Sequence, residues 1–233
     1  MNNEIHYMIK RGDILYQLAK NYQTTVQEIL NKNPHLDPYH LEVGTYIVIP
    51  VATYPNQEMQ ETLKDKMRKA WDQHVFWTRL LIISIVDGLQ DEQETAKRLL
   101  RNPDDLANLF RPYYGDNAAE VIKQLLTDHL VIAAQLVQAT INNQMDEATR
   151  LNDQWYRNAD QIAATLTSIN PYYNEEEVRR MLYSHLDLTK QEVMYRINKN
   201  YANEIQIFDQ IENQALMMAD YFVQGINRQF NLQ

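Results

Sequence analysis

The chain contains no cysteine, and only five of its 233 residues are glycine. Its most apolar run, Leu80 to Val86, is seven residues long. Each shortage excludes something. Without cysteine there are no disulfides, no thiolate metal sites and no cysteine nucleophiles, so any metal ligands are histidines and carboxylates. So few glycines leave little material for loops that cradle phosphate. Neither G-x-G-x-x-G nor G-x-x-x-x-G-K-[ST] occurs. G-x-S-x-G is missing as well, which removes the nucleophile elbow of a hydrolase. Seven apolar residues are far short of the ~20 that span a bilayer, so no membrane insertion is expected. Positive charge is scarce too: 22 Lys and Arg face 31 Asp and Glu, for a net charge of -9. That balance argues against nucleic acid as a partner, because a phosphate backbone asks for a basic patch. Met1-Asn2-Asn3-Glu4-Ile5-His6 offers neither the basic nor the apolar region of a secretory signal. The expectation is a soluble chain made in the cytoplasm.

Hydrophobic residues make up 45% of the chain, enough for a packed core, and the length allows one or two domains. The character changes near residue 52. Before it, Ile5-His6-Tyr7-Met8-Ile9 alternates as a strand. Lys10-Arg11-Gly12-Asp13 is a turn in which Asp13 is placed to cap the following helix. Ile14, Leu15, Leu18, Ala19 and Tyr22 recur at helical spacing. Thr25 and Glu28 form a capping box for a second helix, which Asn33-Pro34 ends. Tyr46-Ile47-Val48-Ile49 is a second strand closed by Pro50. The order is strand, helix, helix, strand.

This text resembles a LysM domain throughout: Tyr7 to Leu15, then Leu18-Ala19, Thr25-Val26, Ile29, Asn33-Pro34, Leu41, Val43-Gly44 and Ile47-Val48-Ile49-Pro50. The resemblance implies binding of glycans that contain N-acetylglucosamine, peptidoglycan or a chitin-like polymer. It implies a shallow groove with Gly12, Asp13, Ile14 and Leu15 on one side and Pro34, His35 and Leu36 on the other. The sequence departs from the family at two lips of that groove. Ile14 stands where Thr or Ser is usual, and His35 where Asn is frequent.

Residues 51–55 read as a linker. Beyond them the chain is rich in Gln, Glu, Ala and Leu, with Gly88, Gly115 and Gly225 near expected helix ends. The spacing predicts long helices over 56–87, 116–143, 146–169, 174–199 and 201–228, and shorter ones over 91–101 and 103–110. Pro103, Pro112 and Pro171 fall in the predicted breaks, and Asn174 caps a helix. The expected fold is therefore a small α+β module over 1–51 and an all-α antiparallel helical bundle over 56–230.

That bundle carries a polar layer. His74, His129 and His185 each lie near the middle of a different helix, among apolar residues at i±3, i±4 and i±7. Glu212 shares a face with Ile205, Phe208, Ala215, Leu216 and Ala219. Asn158 shares one with Leu151, Trp155 and Ile162. In an antiparallel bundle, helix midpoints meet at one height. A buried carboxylate needs a partner, and imidazoles with a carboxylate are a ligand set for a first-row divalent metal: Zn, Fe or Mn. The expected ligands are His74, His129, His185 and Glu212, oriented by Asn158, Thr78 and Thr189. The same residues also make sense as a buried hydrogen-bonded network without a metal. No Glu-x-x-His pair precedes any of the three histidines, which argues against a di-iron bundle. The tryptophans at helical spacing read as core.

The helical part resembles uncharacterised proteins of spore-forming bacteria. With no leader, this implies a spore coat, spore cortex or cell-wall setting. Three roles remain open: a glycan-binding wall or spore protein, a metal-dependent enzyme targeted by its glycan module, and a structural spore protein with no metal.

Overall fold

The computed structural model describes residues 4–22, 24–38, 41–50 and 56–232, with the side chains of the first bundle helix described from Leu63 onward. The expected linker over 51–55 and His40 lie outside them. The chain divides into two compact units between residues 62 and 63.

In the first unit β1 (Glu4–Met8) pairs antiparallel with β2 (Tyr46–Pro50), with Ile5 opposite Ile49 and Tyr7 opposite Ile47. Between them run α1 (Leu15–Asn21) and α2 (Val26–Lys32). Ile9, Leu15, Leu18, Ala19, Ile29, Ile47 and Ile49 form the core. The Thr25–Glu28 capping box forms as the sequence predicts. Asp13 does not cap α1; the N-cap is Ile14, which makes no side-chain cap bond. The Asp13 carboxylate instead accepts from the Lys10 amide at 2.7 Å and closes the turn. Asn33 is buried and clasps β2: its Nδ2 donates to the Ile29 and Val48 carbonyls, and its Oδ1 accepts from the Val48 amide.

The second unit is all helix: α3 (Asn56–Asp87), which begins ahead of the boundary, then α4 (Glu92–Leu99), α5 (Asn102–Ile141), α6 (Met145–Ile169), α7 (Glu175–Ile197) and α8 (Tyr201–Phe230), with neighbours antiparallel. Two of the predicted helices belong to α5, and Pro112 lies inside it rather than in a break. The break comes at Gly115, whose φ of 79° and ψ of 176° divide α5 into arms of 102–114 and 116–141. That φ suits glycine. No helix among the described residues is long and apolar enough to cross a membrane.

An ion network ties α3, α7 and α8 together. Arg79 Nη1 lies 2.5 Å from Glu192 Oε1, and Arg79 Nη2 lies 2.9 Å from Glu204 Oε1. Arg196 pairs with Glu204 and with Asp87. Glu192 and Glu204 are buried. Burial pushes the Glu192 pKa up to about 7 against the opposing pull of Arg79.

Gly225 lies inside α8, five residues before its end. The Tyr173 ring occupies the space its side chain would fill; a Cβ there would sit 1.9 Å from Tyr173 Cε1. Tyr173 in turn donates from its hydroxyl to the Phe222 carbonyl at 2.6 Å. Gly225→Ala gains ~1 kcal/mol of helix propensity, but overpacking of this kind costs ~1–3 kcal/mol. The clash is with a buried, hydrogen-bonded ring, so the loss should win. We expect a lower midpoint in denaturant unfolding; an unchanged or higher midpoint would show that the ring moves freely.

Candidate metal centre

The bundle is built from three helical hairpins with the same internal plan. Histidine sits on the first helix of each: His74 on α3, His129 on the second arm of α5 and His185 on α7. An amide side chain follows 28 or 29 residues later on the returning helix: Asn102 at the start of α5, Asn158 on α6 and Gln214 on α8. The histidines stand 55 and 56 residues apart. Around the amides the pattern repeats. Three residues earlier come Leu99, Trp155 and Ile211, and four later Leu106, Ile162 and Met218. Five later the residue is alanine each time: Ala107, Ala163 and Ala219. Eight later come Phe110, Leu166 and Phe222. All twelve are buried.

The three contacts are equivalent. Histidine Nδ1 lies 2.9 Å from Asn102 Oδ1, 2.9 Å from Asn158 Oδ1 and 3.2 Å from Gln214 Oε1. Each amide nitrogen donates to the backbone carbonyl four residues before its histidine: Asn102 to Ala70 at 2.8 Å, Asn158 to Leu125 at 3.0 Å, Gln214 to Met181 at 2.8 Å. This arrangement fixes the chemistry. A carbonyl only accepts, so the amide NH₂ must face it and the amide oxygen must face the ring. That oxygen also only accepts, so Nδ1 carries the proton and donates. Nε2 is then the lone-pair nitrogen on all three rings.

The three rings converge. Their ring centroids are 6.4 Å apart for His74 and His129 and 5.6 Å for His74 and His185. One nitrogen from each lies within 4.8 Å of the others, and all three residues are buried. Nitrogens ~2.1 Å from a shared ion stand at most ~3.6 Å apart, so ligation asks for ring shifts of under ~1 Å. Burial disfavours the imidazolium. It lowers the pKa of His74, takes that of His129 down to about 3 with help from His74, and takes that of His185 well below the ordinary 6.5. Neutral imidazole is the form that binds a metal.

Glu212 is a correction. It is half-buried on α8 and faces Asp72; burial, then that neighbouring carboxylate, raises its pKa. It is not in the cluster, and the α8 residue that reaches a histidine is Gln214. Asn158 is hydrogen-bonded to the His129 ring. Thr78 and Thr189 do not orient rings: each hydroxyl donates to the backbone carbonyl of the histidine four residues before it. Asn102 and Gln214 escaped the sequence reading. The signal that finds Asn102 is the repeated text Arg101-Asn102-x-Asp104-x-Leu106-Ala107 and Arg157-Asn158-x-Asp160-x-Ile162-Ala163.

In the first unit, Gly12, Pro34 and His35 are exposed and Ile14 is 51% exposed. Asp13 and Leu36 are half-buried. Leu15 departs from its expected place at the groove, because its side chain is in the core. Ile9 extends the strand pairing by bonding Thr45 and Gly44, which joins the loop after β1 to the loop before β2.

Residues 7–50 match the family model of the LysM domain. The chain carries a LysM domain. Such domains bind glycans containing N-acetylglucosamine. The match ends at residue 50, and the resemblance of the helical part to proteins of spore formers gains no support from it. No curated protein and no solved structure matches the chain.

The buried histidines give the metal-free protein an acid-sensitive stability. Their pKa values are lower folded than unfolded, so the unfolded chain takes up these protons first as pH falls below ~6.5. Glu192 acts oppositely. Its folded pKa of about 7 lies above the unfolded value, so the native state gains one proton in the same window. The strongly lowered His129 and His185 outweigh Glu192, so stability falls as pH drops from about 6 to 5. We expect denaturant titrations to show this fall, and His129→Gln to flatten it. Equal slopes in the two proteins would contradict neutral, buried histidines.

Proposed function

We propose that the chain is a glycan-anchored metalloprotein. Its LysM domain holds it on an N-acetylglucosamine polymer of a cell wall or spore, peptidoglycan or chitin-like. Its bundle binds one first-row divalent ion through Nε2 of His74, His129 and His185. The observation that carries the metal reading is the threefold His–amide–carbonyl relay, which leaves Nε2 unprotonated on three buried rings that each bring a nitrogen within 4.8 Å of the others. Nothing in packing alone asks for three copies of it. With imidazole ligands and no carboxylate in the group, Zn or Fe suits the set better than Mn.

Metal analysis of purified protein tests this. We expect close to one ion per chain and almost none in His129→Ala. Asn158→Leu keeps all three ligands but removes one relay, and should weaken affinity ~10–100-fold. A protein that is metal-free and takes up neither Zn nor Co would sink the centre and leave a hydrogen-bonded network.

A second reading, a metal-dependent enzyme brought to the wall by its LysM domain, is favoured by one observation. Three histidine ligands leave a coordination position for water or substrate, the pattern of catalytic rather than structural zinc.

For the anchor, sedimentation with insoluble polymer is the measurement. The full chain should pellet with peptidoglycan or chitin, weakly, as expected of a single domain copy. Ile14→Asp with His35→Asp should reduce the pelleted fraction severalfold. Failure to pellet with either polymer would count against the glycan reading.

A further inference from the structure

A cavity of about 170 Å³ lies inside the helical unit, walled by α3, α4, α5, α6 and α7. Its lining includes Thr78, Ala133 and Thr189. These are the repeat-equivalent positions four residues after His74, His129 and His185. The cavity therefore begins one helical turn, ~5.4 Å, from the layer where the three rings meet. Trp155 also lines it, and the Trp155 ring centroid is 5.3 Å from that of His129. The indole Nε1 of Trp155 is buried without a protein partner. Farther along, the wall is aliphatic, as at Ile82, Val137 and Val193. Asn152, Lys190 and Met194 on α6 and α7 are partly exposed, as are Thr78, Ala133, Ala134 and Thr140 on α3 and α5.

A divalent ion on three neutral imidazoles keeps its full double charge in a desolvated site, and no carboxylate of the described residues joins the group. Such a charge needs an anion beside it. A carboxylate on the side of the ion nearest Thr78, Ala133 and Thr189 puts its α-carbon ~4 Å away, toward the cavity that these residues line. An apolar cavity of ~150 Å³ holds a benzene-sized body.

We propose that this cavity binds a small monocarboxylate, with an apolar body of about six carbons among the aliphatic side chains and its carboxylate on the open coordination position of the histidine-bound ion. The inference rests on the metal reading above, and the two fail separately.

The experiment loads the full chain with Co(II), measures bound metal, and then titrates acetate, butyrate and hexanoate while following the visible Co(II) bands. Affinity should rise about fourfold per added methylene. Hexanoate should change the bands at one equivalent per cobalt. Ala134→Phe, which fills the cavity from α5, should still load cobalt and bind hexanoate at least tenfold more weakly. If cobalt loads but the bands ignore hexanoate, or if affinity is flat along the series, the carboxylate site is overturned and the metal centre stands. If cobalt does not load, both fall. The chain-length series in the unaltered protein decides the matter even if Ala134→Phe does not fold.

Discussion

The second unit depends on one hydrogen-bonded relay used three times. An amide from the returning helix of a hairpin accepts from a histidine Nδ1 and donates to the carbonyl one turn before that histidine. Each relay joins two helices of one hairpin at a fixed height and rotation. It also satisfies polar groups that would otherwise cost ~1–3 kcal/mol each when buried unpaired. Alanine five residues past each amide is fully buried and leaves room for close helix approach. The packing and the histidine chemistry are therefore one arrangement: helices close enough to pack are close enough to hold the tautomer that leaves Nε2 free.

The relay also separates two kinds of buried charge. The arginine–glutamate network of Arg79, Glu192, Glu204 and Arg196 keeps its ions by pairing them. The histidine layer instead stays neutral, with burial holding every ring below its usual pKa. Three uncharged bases facing one another resist protonation, because the first imidazolium would disfavour the next.

Much of this was legible in the sequence. The strand–helix–helix–strand order and the Thr25–Glu28 box follow from local periodicity and capping, which the small unit obeys. The three histidines and Asn158 could be assigned to one layer because helical spacing reports which face a residue occupies. Glu212 failed for the same reason that Gln214 was missed. The two are neighbours on α8, and each has apolar residues at helical spacing. The stripe around Glu212 includes Ile205, which is 60% exposed, whereas Gln214 shares its face with buried Ile207, Ile211, Met218 and Phe222. Which apolar stripe is the inner one is decided by the neighbouring helices, and no local pattern encodes it. The helix break at Gly115 was legible, but not that its two arms serve different hairpins. The interior glycine, Gly225, answers to a ring 52 residues away in sequence, Tyr173.

The most direct test is nitrogen NMR of the histidine rings in metal-free protein at pH 6, followed by one equivalent of zinc. The account requires all three bundle histidines to be neutral with the proton on Nδ1, and all three Nε2 signals to move together when zinc is added. A proton on Nε2 of any of the three, or zinc that shifts fewer than three rings, would contradict it.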